Sequence, residues 1–306
     1  METLTIPSPH GGAELATYVW SIDSPKAVVQ IAHGMAEHAQ RYDRLAQALN
    51  AAGYAVVAHD HRGHGATASQ PHEVGYFADR HGWDAAIGDI EAVGRYARDR
   101  YRGVPYVLLG HSMGSFMARE AASRHSDDMD ALVLSGTGGD PGILGTVGQR
   151  VASVEGRIRG RRHPSSLMDK LTFGDFNKKF KPNRTDFDWL SRDEDEVDAY
   201  VADPRCGNVF TSGFFADFLS GINALSSDRN PARIRSDLPI YLLAGSDDPV
   251  GGEKGVTAVR DQLRSVGLQD LTLRLYPQGR HEMFNEINRD EVTAELVDWL
   301  DTKVGS

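Results

Sequence analysis

One serine stands in a pattern typical of a catalytic nucleophile. The sequence Gly-His-Ser-Met-Gly at residues 110–114 directly follows an apolar run and directly precedes a helical pattern rich in small residues. G-x-S-x-G between a strand and a helix predicts a sharp turn that exposes the serine hydroxyl, with glycines where larger side chains would clash. We therefore predict that Ser112 attacks a carbonyl carbon. The N–H of Met113, at the helix N-terminus, would stabilise the developing oxyanion.

A serine hydroxyl at neutral pH needs a base, and the base needs a carboxylate that orients it. On such a sheet the expected chain order is serine, acid, histidine. Asp248 and His281 each follow an apolar run that predicts a strand, and His281 is the only histidine among residues 164–306. Asp247 competes for the role of the acid, but Pro249 stiffens the turn directly after Asp248 and favours Asp248. These two residues complete a predicted triad with the serine.

The loop after the apolar run at residues 27–32 offers a second N–H group to the oxyanion. Gly34 permits a backbone that turns toward the serine, and we assign the second donor to the N–H of Met35. The alternative for this loop is an ordinary connection between a strand and a helix. The sequence therefore predicts an oxyanion hole made of two backbone N–H groups, those of Met35 and Met113.

Three histidines and an aspartate follow the apolar run at residues 54–58 and raise the alternative of a metal site. They are His59, Asp60, His61 and His64. Zinc hydrolases need further ligands at particular spacings, and the remaining histidines are scattered or assigned to other roles. We interpret this group as structural, and we predict neither a metal nor a cofactor.

The elements that must position these residues alternate along the chain. Short apolar, β-branched runs predict eight strands, and helical patterns separate most of them. This alternation predicts an α/β fold with a mostly parallel sheet and helices on both faces, and continuous apolar runs indicate strands buried on both sides. The predicted strands are residues 4–6, 15–20, 27–32, 54–58, 106–109, 131–134, 240–244 and 271–276. The predicted helices are residues 42–52, 83–101, 115–125, 255–266 and 290–304.

One long interval between two strands breaks the alternation. No strand pattern occurs between residues 136 and 239, and a structureless loop of that length is implausible inside a compact domain. We therefore predict a hydrolase core in two parts, residues 1–136 and 238–306, with an inserted helical cap at residues 137–237. Within the insertion, residues 209–225 predict an amphipathic helix with one apolar face.

Composition and charge narrow the range of partners. The chain of 306 residues carries a net charge of −10, which disfavours nucleic acid as a partner. Its single cysteine, Cys206, permits no intrachain disulfide and makes the cytoplasm the expected location. We find no signal-peptide pattern at residues 1–11 and no apolar run long enough to span a membrane. Residues 150–184 hold ten Lys or Arg and only three Asp or Glu.

That basic stretch has two interpretations. Charge runs are usually solvated surface. The alternative is transient contact with anionic lipid surfaces, which the acidic remainder of the chain would oppose.

The motifs together resemble the monoacylglycerol lipase and lysophospholipase-like group of the α/β-hydrolase family, which is also grouped with serine aminopeptidases. The resemblance implies Ser112 as nucleophile, Asp248 as acid, His281 as base, the Met35 and Met113 amides as oxyanion hole, and a lid formed by the insertion. Ala36 stands where animal monoacylglycerol lipases have glycine. The matching stretches are HGMAEHAQRY (33–42), AHDHRGHGAT (58–67), LGHSMGS (109–115), FDWLSRDEDEVDAYVADPRCGN (187–208), AGSDDPV (244–250) and YPQGRHEMFNE (276–286).

These patterns predict a serine hydrolase that cleaves small carboxylic esters through an acyl-enzyme. The expected substrates are lipid-like esters of the monoacylglycerol or lysophospholipid type. The alternatives are a short-chain carboxylesterase, a thioesterase, an aminopeptidase or a binding protein without catalysis. Candidate substrate-binding residues are His111, Phe214, Phe215 and Phe218, although core packing would explain the phenylalanines equally well.

Overall fold

The computed structural model describes residues 1–305 and contains one eight-stranded sheet. The strand order is β1-β2-β4-β3-β5-β6-β7-β8; β2 is antiparallel to both of its neighbours, and all other neighbours are parallel. All eight predicted strands are present, and the predicted α/β class with a mostly parallel sheet is confirmed. The strands are β1 (Glu2–Pro7), β2 (Glu14–Trp20), β3 (Ala27–Ala32), β4 (Tyr54–His59), β5 (Tyr106–His111), β6 (Ala131–Ser135), β7 (Ile240–Gly245) and β8 (Leu271–Tyr276).

Helices cover both faces of the sheet, and each of the five predicted helices is found within a few residues of its expected bounds. The α-helices are α1 (Asp43–Ala51), α2 (Gly82–Arg100), α3 (Met113–His125), α4 (Gly142–Arg159), α5 (Ser166–Phe173), α6 (Glu194–Ala202), α7 (Ser212–Leu225), α8 (Gly252–Ser265) and α9 (Arg289–Lys303). Short 3₁₀ turns occur at Ala39–Tyr42, Ser126–Asp128, Phe176–Phe180, Pro231–Arg233 and Met283–Asn285.

The continuous apolar runs are explained by burial from both sides. Every residue of β3 to β7 is buried. One face packs against α2, α3 and α8, through residues such as Ile90, Met117 and Val259. The opposite face packs against α1 and α9, through Leu49 and Leu296 among others. Strand β8 differs from the expectation, because it lies at the edge of the sheet and leaves most of its residues partly exposed.

Helices α4 to α7 fill the interval between β6 and β7. Helix α7 begins after Thr211, whose hydroxyl accepts a hydrogen bond from the N–H of Phe214 (3.2 Å). The predicted helix is present, and Asp217, Ser220 and Ala224, which are exposed or partly exposed, lie on one side of it. The buried part is wider than a single face, because both Phe214 and Phe215 are fully buried. The physical reason is that α7 packs between α4 and the core helix α2, so that it has apolar neighbours on two sides.

Within residues 1–305, no helix combines the length and the apolar composition needed to cross a lipid bilayer.

Candidate active site

The turn around Ser112 is shaped by close packing of the backbone. Ser112 lies between β5 and α3 with φ 51° and ψ −120°, a backbone conformation that residues other than glycine rarely adopt. A Cβ atom added at Gly114 would lie 2.0 Å from the carbonyl oxygen of Ala32, at the end of β3. Only glycine therefore allows α3 to start this close to the sheet, and this close start holds the serine side chain at the carboxyl edge of the strands.

Two unused N–H groups lie beside the serine. The N–H of Met113 is the first of α3, and that of Met35 belongs to the loop after β3; within residues 1–305, neither donates to an acceptor in the protein. The two loops are in direct contact, since a Cβ at Gly34 would lie 3.2 Å from the Cβ of Ser112. Free backbone donors next to a candidate nucleophile could form an oxyanion hole.

His281 and Asp248 form a buried hydrogen-bonded pair. The distance between His281 Nδ1 and Asp248 Oδ1 is 2.9 Å, and the N–H of Val250 donates to the same carboxylate oxygen (2.8 Å). Asp247 instead bonds the exposed Lys179 (2.7 Å), so the structure places Asp248, and not its neighbour, beside the histidine. In the described part of the chain, Ser112 and His281 line one pocket without a direct hydrogen bond between them.

The environment of His281 tunes its basicity. Burial lowers the pKa of the His281 ring, but the charge of Asp248 and the hydrogen bond to it raise this pKa by more, so that it lies above its usual value. His111 packs 4.7 Å from the His281 ring, between ring centroids, and also lines the pocket. Burial, with a smaller contribution from the charge of His281, lowers the pKa of His111 to about 4. Near neutral pH His111 is therefore uncharged.

A buried ion network, which the sequence did not indicate, joins the two loops of the site. Arg41 forms two hydrogen bonds with Glu282 (2.6 and 2.8 Å) and one with Glu37 (2.7 Å). Glu37 also accepts hydrogen bonds from the hydroxyl of Tyr42 and from the N–H of Gly34. Burial raises the pKa of Glu282, but Arg41 lowers it by more, to about 2. Only the i,i+4 spacing of Glu37 and Arg41 could have suggested this network.

Residues from the insertion close over the site. They contribute aromatic and apolar side chains to a cavity of about 90 Å³ that contains Ser112 and His281. The Trp189 ring lies 5.1 Å from the His281 ring, and its carbonyl accepts the N–H of His281 (3.3 Å). The hydroxyl of Tyr200 donates to the carbonyl of Ala36 (2.9 Å). The insertion lining consists of Asp169, Phe173, Phe187, Trp189, Leu190, Tyr200, Gly207 and Asn208.

The structure does not bring the three predicted phenylalanines to this cavity. Phe214 and Phe215 are fully buried and Phe218 is 7% exposed. Phe214 packs 4.4 Å from Phe77, and Phe218 packs 6.1 Å from Phe116, between ring centroids. They belong to the core because α7 lies against α2 and α3. Phe173, Phe187 and Trp189 occupy the expected place instead, and their irregular spacing gave no periodic signal.

The histidines that suggested a metal are part of a buried cluster. The ring centroids of His33 and His61 are 4.2 Å apart, and burial lowers the pKa of His33 and of His64 to about 3. Asp60 accepts the N–H groups of two loop residues and the hydroxyl of Tyr18. The Asp60 carboxylate thus accepts hydrogen bonds that hold the surrounding loops, which is the structural role that we predicted from the sequence.

Another group of possible ligands combines His38, Asp203 and Cys206. His38 Nε2 lies 2.9 Å from Asp203 Oδ2, and the guanidinium of Arg205 also bonds Asp203. Burial raises the pKa of the Cys206 thiol to about 12. A protonated thiol and a carboxylate already paired with the guanidinium of Arg205 are poor metal ligands.

Comparison with known proteins identifies the family. The sequence profile described as serine aminopeptidase, S33, matches residues 23–288. The chain belongs to this family. This S33 family member is 29% identical to the monoacylglycerol lipase of Mycolicibacterium smegmatis, over 95% of this chain and 94% of that protein. It is 30% identical to the monoglyceride lipase of Mus musculus, over 92% of this chain and 85% of the mouse protein.

The comparison with solved structures supports an ester hydrolase. The S33 family member superposes on a carboxyl esterase from Bacillus coagulans, solved in complex with glycerol, with a TM-score of 0.90 and 28% identity. The match covers 99% of this chain and 98% of the esterase. The α/β-hydrolase prediction is thus confirmed, and the protein is a carboxylic ester hydrolase.

The strained backbone of Ser112 predicts an unusual order of stabilities. We expect the free energy of unfolding of Ser112→Gly to exceed that of Ser112→Ala by about 1 kcal/mol, because glycine adopts positive φ without strain. Urea titration of both variants measures the difference. The control is Ser153, inside α4, where the helical backbone should make Ser153→Gly less stable than Ser153→Ala by about 0.5–1 kcal/mol. A more stable alanine variant at position 112 would contradict the assigned strain.

Proposed function

We propose that the protein hydrolyses carboxylic esters through an acyl-enzyme formed on Ser112. The observation that carries this proposal is the hydrogen bond between Asp248 and His281, whose ring lines the same cavity as the strained Ser112. The unused N–H groups of Met35 and Met113 belong to the loop and the helix start beside this serine. Nucleophile, base and orienting acid then each have one residue, and the oxyanion has two donors. All triad members are retained, which argues against a binding protein that has lost catalysis.

The hydrogen bond between His281 and Asp248 determines the direction of proton transfer. With Nδ1–H donated to Asp248, the free Nε2 can take the proton of the Ser112 hydroxyl as that oxygen attacks the ester carbonyl carbon. The protonated ring then gives this proton to the departing alkoxide, and the alcohol leaves. In the second half of the reaction, Nε2 removes a proton from water as the water oxygen attacks the acyl-enzyme carbonyl carbon. The protonated ring then gives this proton to the Ser112 oxygen as its bond to the acyl group breaks, which releases the carboxylic acid and the free serine.

The negative charge of each tetrahedral intermediate falls on the former carbonyl oxygen. The N–H groups of Met35 and Met113 would donate to this oxygen, each contributing roughly 3 kcal/mol to stabilisation of the transition state. The ion network behind the loop supports this role, because Glu37 fixes the N–H of Gly34 directly before Met35. The donors are therefore oriented before the substrate arrives.

Lipid-like esters fit the lining of the cavity. Phe173, Phe187, Trp189 and Leu190 offer apolar surface to an acyl chain, and the monoacylglycerol lipases among the relatives support a monoacylglycerol substrate. A cavity of about 90 Å³ is much smaller than the several hundred Å³ that ligand sites typically enclose. We therefore propose that residues 137–237 act as a lid that moves to admit a long chain.

The outer surface of this lid combines apolar and basic side chains, and we propose that it contacts lipid membranes. Helices α4 and α5 carry exposed apolar residues along their length, and the exposed Arg150 and Arg157 lie among those of α4. An apolar strip flanked by cations is typical of helices that lie on anionic bilayers. The exposed apolar residues are Ile143, Leu144, Val147, Val154, Ile158, Leu167 and Leu171.

The nucleophile can be tested by covalent labelling. A fluorophosphonate probe should add one equivalent to Ser112, detected by intact mass and located by peptide mapping. Ser112→Ala should lose the adduct and at least about a thousandfold of ester turnover. The control is Ser227, an exposed serine that follows α7. Ser227→Ala should retain both the adduct and the ester turnover.

The same assays decide the reaction class. Monoacylglycerols and p-nitrophenyl esters of several chain lengths should be cleaved faster than aminoacyl amides. An unlabelled Ser112, or faster turnover of the amides, would contradict the proposed ester hydrolysis.

The raised pKa of His281 predicts the pH dependence of catalysis. Only the neutral ring can act as a base, so kcat/KM should rise with pH through a midpoint above the usual histidine value of about 6.5. Asp248→Asn removes the charge that raises this pKa, so the midpoint should move to lower pH while kcat falls by roughly a factor of 10⁴. The matched control is Asp247→Asn, which should shift neither. An unchanged midpoint in Asp248→Asn would contradict the assigned electrostatics.

Membrane contact can be measured by co-sedimentation with vesicles. The protein should bind phosphatidylcholine vesicles containing one quarter phosphatidylglycerol more strongly than pure phosphatidylcholine vesicles. Leu144→Ser, which removes one exposed apolar side chain of α4, should weaken binding several-fold, whereas Val201→Ser on α6 should not. Equal binding to the two kinds of vesicle would remove the electrostatic part of the proposal.

A further inference from the structure

One carboxylate at the cavity has no partner. Asp169 lies on α5, one turn before Phe173, and both residues line the cavity that contains Ser112. Among residues 1–305, its carboxylate takes part in no hydrogen bond and no ion pair, whereas its backbone N–H donates to the carbonyl of Ser165. Burial alone raises the pKa of Asp169. Because Asp169 lines the cavity and has no counter-ion, its charge acts on any group that is bound there.

The rest of the lining adds negative charge and no cation. None of the residues that line the cavity is Lys or Arg. The two other carboxylates of the lining, Glu37 and Glu282, share the single guanidinium of Arg41. One guanidinium between two carboxylates leaves an excess negative charge. Both carboxylates raise the pKa of His281, which indicates that their field reaches the reacting groups.

The basic residues of the insertion do not neutralise this field. Lys170, next to Asp169 in sequence, is exposed. Lys179 bonds Asp247 (2.7 Å). Arg280, which belongs to the core and follows β8, stacks its guanidinium on the ring of Phe180, 4.4 Å from its centroid, and donates to backbone carbonyls of the insertion. The positive charge of the insertion thus lies on its outer surface, while the cavity beneath it is negative.

We propose that Asp169 selects substrates by charge, so that esters with a neutral or cationic group are accepted and esters that carry a phosphate, sulfonate or carboxylate are rejected. This inference rests on the proposed function and narrows its substrate class. A fixed charge in a small, mostly apolar cavity is weakly screened, so an anionic group placed there meets strong repulsion. The neighbouring rings of Phe173 and Trp189 add a preference for cations over their faces. Among the predicted lipids, uncharged monoacylglycerols are favoured over lysophospholipids, whose phosphate is anionic.

Three esters of equal size test the selection. 3,3-Dimethylbutyl butyrate is neutral, butyrylcholine replaces its tert-butyl group with trimethylammonium, and 2-sulfoethyl butyrate carries an anion. At pH 8, the wild-type kcat/KM for the neutral ester should exceed that for the anionic ester at least about tenfold. In Asp169→Asn, the ratio of anionic to neutral kcat/KM should rise about five- to tenfold, and the ratio of cationic to neutral should fall by a similar factor. The neutral ester serves as internal reference, so a general loss of activity does not affect the ratios.

The control variant is Asp186→Asn, which removes an exposed carboxylate of the same insertion and should leave all three rates unchanged. Wild-type hydrolysis of the sulfoethyl ester at the rate of the neutral ester would overturn the charge selection, even if Asp169→Asn did not fold. Equal ratios in the wild type and Asp169→Asn would overturn the role of Asp169 while leaving ester hydrolysis intact. Failure of the wild type to cleave any of the three esters would overturn both proposals.

Discussion

The contact between Gly114 and the carbonyl of Ala32 is the constraint on which the rest of the site depends. It brings the first turn of α3 against the end of β3, where a Cβ atom would lie 2.0 Å from the oxygen. Two consequences follow from this one contact. Ser112 is forced into positive φ with its side chain at the edge of the sheet, and the loop that carries Met35 is brought beside the serine. The backbone strain thus lies at the proposed nucleophile.

A second constraint is electrostatic. Glu37 and Glu282 come from loops far apart in sequence and are held together by Arg41, so the loop with Met35 and the loop with His281 cannot separate without leaving buried charges unpaired. The network also contributes to the raised pKa of His281. One ion cluster therefore has both a mechanical and an electrostatic effect on the site. Tyr200 extends it into the insertion, since its ring packs on Arg41 at 4.8 Å.

The insertion has two faces of opposite character. Its inner face supplies aromatic rings, the unpaired Asp169 and the backbone carbonyls that hold the His281 loop, whereas its outer face carries exposed apolar and basic side chains. Charge is thus separated across a single layer of helices. The basic composition of residues 150–184 says little about the cavity beneath them, because most of these side chains point away from it or pair at the surface.

The sequence by itself determined the eight strands, the α/β class and the candidate triad, because apolar periodicity and the order serine, acid, histidine are local or fixed by topology. It could not place Phe214, Phe215 and Phe218, since an apolar helix has the same pattern whether it lines a cavity or packs between two layers. Nor could it show that Arg41 joins Glu37 to Glu282, or that Asp169 is the carboxylate left without a partner. Those features depend on which segments meet in space, and only tertiary packing, which brings residues hundreds of positions apart into contact, decided them.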